Sequence, residues 1–465
     1  MQGPPLDRRL LARWVARLLV PLLAVTAPAL ARAAAGQGPA AAAAPELLVK
    51  TILALLGLIA LATLGGHPRV QRWEARLGVS QVVTAGFPFV LLGILARQPA
   101  VGIVTEPVLA QMGTLLGVAL GWIGLVAGFR FDTRLVGGLP AGAARAVALA
   151  TSIPFAFVVG LTGIALLSLS GGFAAATSDP GLVRDALILG TAGAMTAKTS
   201  ARIVRTTEAA GLLARIFRIE ELAGVGGLAF VAAYFRAHAA GTWQLPGTAW
   251  LLLTVGLGAT VGIVTYAMLQ STRPGRPEFV VLTLGSVCFA AGVAGQLRLS
   301  PIVVTFIAGL LLANVPGSYH VRLGAALRRL ERPAYLLCLF AIGALWDVAD
   351  WRGWLLIPVF TATRLIGKRV GANLAARGGE LRFGPDEREA LAVSPMGPLA
   401  IAIVVNAQLL YPGGSVSLIA SAVIGGAIVT EVVVQLVTRG KLATLERRAR
   451  AAQAAGADAA REALG

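Results

Sequence analysis

Two cysteines, three histidines and only 13% charged residues occur in a chain of 465. Each scarcity excludes something. Cys288 and Cys338 both lie in apolar runs, where they read as packing residues rather than a disulfide or a metal pair. His67, His238 and His320 fall between the apolar runs, and no nucleophile motif or metal-ligand cluster accompanies them, so an enzyme is not expected. Aromatic residues make up only 6%. A soluble domain with so few charges would be unusual. The 57% of hydrophobic residues are instead gathered into apolar stretches that recur along the whole chain. Stretches near 20 residues read as transmembrane helices and not as the short alternating segments of a barrel. The expected fold is therefore an all-α polytopic membrane protein.

The first residues carry Arg8, Arg9, Arg13 and Arg17 ahead of an apolar stretch, and Ala31-Arg32-Ala33 forms a small-x-small pattern. This reads as a signal peptide over 1–33, followed by a low-complexity linker over 34–46. About 13 spans follow, near 47–66, 81–96, 110–129, 146–169, 184–201, 219–235, 248–269, 279–296, 300–314, 333–347, 354–367, 391–411 and 416–438. Loops after the odd-numbered spans, with the tail, hold 27 Lys or Arg; loops after the even-numbered spans hold 4. That bias predicts an extracellular mature N-terminus and a cytoplasmic C-terminus in the plasma membrane. It also explains the net charge of +18 without nucleic acid, because the basic residues form no soluble patch. The basic tail over 439–465 is too short for a nucleotide-binding regulatory domain, so regulation of that kind would need a separate subunit.

Charges inside spans are costly and usually mark a pathway. Lys198, Glu220, Glu221 and Arg364 are the notable ones; Glu431 reads as a packing or oligomer-contact residue, and Asp185 and Asp347 sit at span edges. Lys198 and Glu221 lie at similar distances from the middle of the connection between spans five and six, which places them at one depth. Arg364 stands four residues before Lys368, taken as the start of the next loop. Glu220 and Glu221 are about 100° apart on a helix, so they face different neighbours. An alternative for Glu221 is a local pair with Arg218, three residues earlier.

Two spans are interrupted. The fifth carries Gly190 and Gly193 followed by Thr196, Thr199 and Ser200; the twelfth carries Pro395, Gly397 and Pro398. Proline removes a backbone donor, and hydroxyls can satisfy the groups that a break sets free. Taking 246–269 as a linking span leaves six spans in 47–235 and six in 278–438. The breaks then occupy the fifth position of each half, and the halves run in opposite senses. Such paired breaks point to the midplane site of a secondary transporter.

VVTAGFPFVLLGILARQPAVGIV, GLVAGFRFD, LRLSPIVVTFIAGLLLANV, LCLFAIGALWDV and TRLIGKRVG follow one another in an order that resembles the monovalent cation:proton antiporter superfamily. The resemblance covers residues 47 to 438. It implies an inverted-repeat antiporter fold with two broken crossing helices, a homodimer, and exchange of a monovalent cation, sodium or potassium, for protons, with no cofactor. It places the ion-binding carboxylate at Glu221, with Glu220 the variable residue before it, and matches Arg364 to a basic residue of the second half. Two features depart from the family: glutamate stands where aspartate is usual, and Lys198 stands among short polar residues. An anion or organic-acid carrier and a non-transporting sensor or assembly partner remain alternatives.

Overall fold

The structure is a computed structural model that describes residues 82–436, except 99–105, 134–136, 138, 141, 171–179, 198–206, 237–243, 272–277, 378–382 and 414. The expected signal peptide, linker, first span and basic tail lie outside the described residues, as do Lys198, Thr199 and Ser200. By contacts the chain divides into two units. One joins Met1–Leu58 to Ile103–Met112; the other comprises Ile59–Gly102 and Gly113–Gly465. Of the first, only the opening turns of one helix are described. Apart from those turns, all that follows concerns the second.

Most of the described residues are helical, with no strand among them. In chain order the helices are α1 (Val82–Arg97), α2 (Glu106–Phe129), α3 (Ala143–Leu169), α4 (Pro180–Ala194) and α5 (Thr207–Tyr234). Next come α6 (Gly247–Ser271), α7 (Glu278–Gln296), α8 (Pro301–Asn314), α9 (His320–Leu345) and α10 (Trp351–Arg377). The last are α11 (Pro385–Ala392), α12 (Pro398–Leu410) and α13 (Val416–Leu436). Every expected span from the second onward corresponds to a helix, except that the twelfth is divided between α11 and α12. Windows in α2, α3, α6, α7 and α13 are long and apolar enough to cross a membrane by composition alone. The protein is a multi-pass membrane protein.

Glycine lets several helices approach at backbone contact, which is how helices pack where lipid removes the hydrophobic drive between them. A Cβ at Gly93 of α1 would stand 2.2 Å from the Phe340 carbonyl oxygen of α9; one at Gly343 of α9 would stand 2.2 Å from the Val90 oxygen of α1. The same relation joins α2 to α8: Gly128 lies under Phe306, and Gly309 lies under Leu125. Asn314 ends α8 by donating to the Phe131 carbonyl while its own oxygen accepts from the Thr133 backbone and hydroxyl. Two of the resembling segments, GLVAGFRFD and the one ending LLLANV, are thus tied directly together.

Two expectations about helix ends need correction. The sixth span was expected to open at 219, with 207–218 as connection; in fact α5 begins at Thr207, so Glu220 and Glu221 sit mid-helix, about 20 Å from its start at 1.5 Å per residue. The eleventh span was expected to stop at 367; α10 continues to Arg377, and Lys368 is a buried helical residue instead of the first residue of a loop. In both places charged side chains lowered the local hydropathy without ending the helix.

Candidate functional site

Two chain breaks build the frame of the site. Helix α4 stops at Ala194, and residues 195–197 are not helical. Helix α11 stops at Ala392, and α12 starts only at Pro398, with Gly397 as its extended N-cap (φ −77°, ψ 158°). The prolines explain the second break. Each disfavours helical geometry in the residue before it, here Ser394 and Gly397, and Pro398 occupies the first helical turn, where its missing N–H costs nothing. The two unwound segments touch. The Ala197 N–H donates to the Pro395 carbonyl at 2.9 Å, and the hydroxyls of Thr196 and Ser394 are 3.3 Å apart. A Cβ on Gly397 would stand 3.3 Å from the Thr196 carbonyl oxygen, closer than ordinary van der Waals contact, so the segments are packed tightly here. Thr196 and Ala197 of the first break thus lie against Ser394, Pro395 and Gly397 of the second.

Broken helices leave carbonyl groups without donors and a partial negative charge at each C-terminal end. Arg364 of α10 answers both. Its side chain is wholly buried, and it donates from Nε to the Gly193 oxygen (2.9 Å), from Nη2 to the Met195 oxygen (3.0 Å) and from Nη1 to the Ser394 oxygen (2.8 Å). One planar guanidinium thus closes the ends of α4 and α11 together. The neighbouring Thr363 hydroxyl meets that of Thr162, 2.7 Å away, at the end of the π-helical turn Val158–Thr162 of α3.

One turn beyond Arg364, Lys368 carries the second buried cation. Its Nζ lies 3.0 Å from Glu220 Oε2 and 3.2 Å from the Ala150 carbonyl oxygen of α3. Both side chains of the ion pair are 1% exposed or less. The other carboxylate oxygen, Glu220 Oε1, accepts no hydrogen bond among the described residues, and the Thr196 hydroxyl and the Arg364 charge lie near the carboxylate. Glu220, Lys368, Arg364, Thr196 and Ser394 thus form one buried cluster beside the crossing.

Glu221 lies elsewhere. It is partly exposed and lines a pocket with Ala127, Arg130, Phe131, Arg218 and Phe306. There Arg130 forms a two-bond pair with Glu331 and Arg218 donates to the Arg130 carbonyl at 3.3 Å. Between the two glutamates, α5 turns Glu220 toward the crossing and Glu221 toward α2. Glu431 of α13 is 2% exposed and accepts from Gln435 within its own helix; Asp185 is buried against Arg184. Neither takes part in the cluster.

Lys368 is the residue that the sequence reasoning missed. Its signal was present: it stands four residues after Arg364, on the same helical face, between Gly367 and Gly371.

No known family's sequence profile matches the chain, and no curated protein does either. Among solved structures, the chain is similar to the sodium proton antiporter MjNhaP1 from Methanocaldococcus jannaschii, with a TM-score of 0.59 and 16% identity over 84% of this chain and 99% of that one. The chain has a cation:proton antiporter fold. At that identity the likeness concerns the path of the backbone, and the roles of individual side chains rest on the geometry given above. The resemblance stated from the sequence motifs agrees with it.

Proposed function

We propose that the protein exchanges a monovalent cation for protons, and that Glu220 is the carboxylate that holds either one. The observation that carries this reading is the Glu220–Lys368 ion pair at 3.0 Å, buried beside the contact of two broken helices, with one carboxylate oxygen that accepts no hydrogen bond among the described residues. A buried carboxylate needs a positive partner. Lys368 supplies it when the site is empty. A sodium or potassium ion that displaces the ammonium from Oε2 supplies it when the site is loaded, and a proton removes the need for it.

Helix α4 and the pair α11–α12 end at this site, so movement of these elements against their neighbours would turn it from one side of the membrane to the other. In the orientation set by the basic loops, the C-terminus is cytoplasmic, the membrane is the plasma membrane, and the working unit is a homodimer.

Purified protein in vesicles containing a pH-sensitive dye tests the reading. Addition of sodium or potassium on one side should drive protons the opposite way. Glu220→Gln should abolish the exchange and Glu221→Gln should retain it; full exchange by Glu220→Gln would end the assignment.

An anion carrier deserves the same assay, because the cluster holds two cations and a single carboxylate. Against it, three of the five Arg364 N–H groups already donate to backbone carbonyls, one from each of its nitrogens. Uptake of a carboxylate driven by a pH gradient and indifferent to sodium and potassium would favour that reading.

A further inference from the structure

Lys368 has a second acceptor, and the sequence explains why that acceptor is free. In an α-helix the carbonyl of residue 150 receives the N–H of residue 154. Residue 154 is a proline inside α3, so there is no N–H to give, and its ring pushes against the carbonyl four residues back. The Ala150 oxygen is the one that Lys368 Nζ reaches at 3.2 Å. The approach depends on glycine. A Cβ at Gly367 would stand 2.7 Å from Pro154 Cα, and one at Gly371 would stand 2.9 Å from the Leu149 oxygen. The lysine is therefore flanked by two glycines that let α10 lie directly on the proline turn.

We infer that Pro154 is a positioning residue for ion exchange: by withholding its N–H it keeps the Ala150 carbonyl open as a resting place for the Lys368 ammonium when that ammonium leaves Glu220. This inference rests on the exchange proposed above. A buried ammonium deprived of its carboxylate partner loses its main stabilisation. With a carbonyl already in contact, displacement by an incoming cation costs less, because one charge-assisted hydrogen bond persists throughout. Lys368 then need not move far: the same Nζ is within bonding distance of both acceptors.

The experiment uses three changes at two positions in the full-length protein: Pro154→Ala, Lys368→Met, and replacement of residue 154 by the α-hydroxy analogue of alanine, which has an ester and no N–H. Thermal unfolding of the single and double variants gives a measure that needs no transport. With Lys368 present, Pro154→Ala should lower the melting temperature, because the new N–H competes with the ammonium for the Ala150 oxygen. In the Lys368→Met background it should raise it, because the new N–H fills an otherwise orphaned carbonyl. The hydroxy analogue should give no such reversal. Additive effects, or the same reversal with the analogue, would overturn the inference.

In vesicles, Pro154→Ala should weaken the half-saturating sodium or potassium concentration about ten- to hundredfold, the range expected for loss of a hydrogen bond to a charged group, while the maximal rate changes less. The analogue should restore it. An unchanged half-saturation would overturn the functional half of the inference. If the unfolding reversal is seen and the wild-type protein moves no cation, the proposed exchange fails while the proline–lysine coupling stands; if the reversal is missing, the inference fails even where exchange is robust.

Discussion

Glu220 and Lys368 are 148 residues apart in the chain, and their charged atoms lie 3.0 Å apart in the protein. The pair bridges α5 and α10, helices that belong to opposite halves of the expected repeat. Breaking a buried pair by removing one partner is far more harmful than removing both, because a lone buried charge is left behind.

Glu220→Gln should therefore destabilise the protein by about 3–5 kcal/mol, and so should Lys368→Met. The double variant should recover much of this loss and still lack exchange. Chemical unfolding in detergent measures the first effect and vesicle assays the second. Equal destabilisation by Glu221→Gln would show that the two glutamates had been wrongly separated.

Arg364→Lys should not be conservative. An ammonium cannot reproduce the planar fork that reaches the Gly193, Met195 and Ser394 oxygens together. Each lost bond to a charged group is worth about 1.5–3 kcal/mol. The expected result is lower thermal stability together with faster proteolysis within 193–198 and 393–398. A variant with unchanged melting and cleavage would show that the crossing holds without the guanidinium.

Gly343→Ala tests the packing of α1 on α9. The added methyl would meet the Val90 oxygen at 2.2 Å, so the helices must separate. Overpacking of this kind costs about 1–3 kcal/mol. Unfolding measurements should show that loss with exchange preserved in the folded fraction. Gly292, whose added Cβ meets nothing, provides the control: Gly292→Ala should be near neutral or stabilising.

Asp350 caps the start of α10, accepting from the Arg352 N–H and from two of its side-chain nitrogens. Arg352 hydrogen bonding holds the Asp350 carboxyl below its usual range. A depressed carboxylate stabilises the fold above its unfolded-state value, and the contribution disappears as pH falls through the folded one. The pair is partly exposed, so the effect is small and salt-sensitive. The melting difference between wild type and Asp350→Asn should shrink on acidification and in about 1 M salt. A difference that grows on acidification would contradict the pairing.

The sequence alone determined the class of the protein, because a chain this apolar and this poor in charge has to place its helices in a membrane. It also located both helix breaks, since Pro395 and Pro398 cannot continue a helix and Gly193 with Thr196 weakens one; the crossing of the two breaks at Thr196 and Ser394 followed that reading. Arg364 was marked for the same reason, as a charge in an apolar run. What the sequence could not decide was direction. Glu220 and Glu221 are adjacent, share their chemistry and differ only by about 100° of helical rotation. Which one turns inward depends on how α5 packs, and that is set by helices distant in the chain. Lys368 was lost to the same limit. Hydropathy treats a lysine as a loop signal, whereas tertiary structure surrounds this one with a carboxylate from α5, a carbonyl freed by Pro154, and two glycines that bring α3 and α10 close enough for the bond to form.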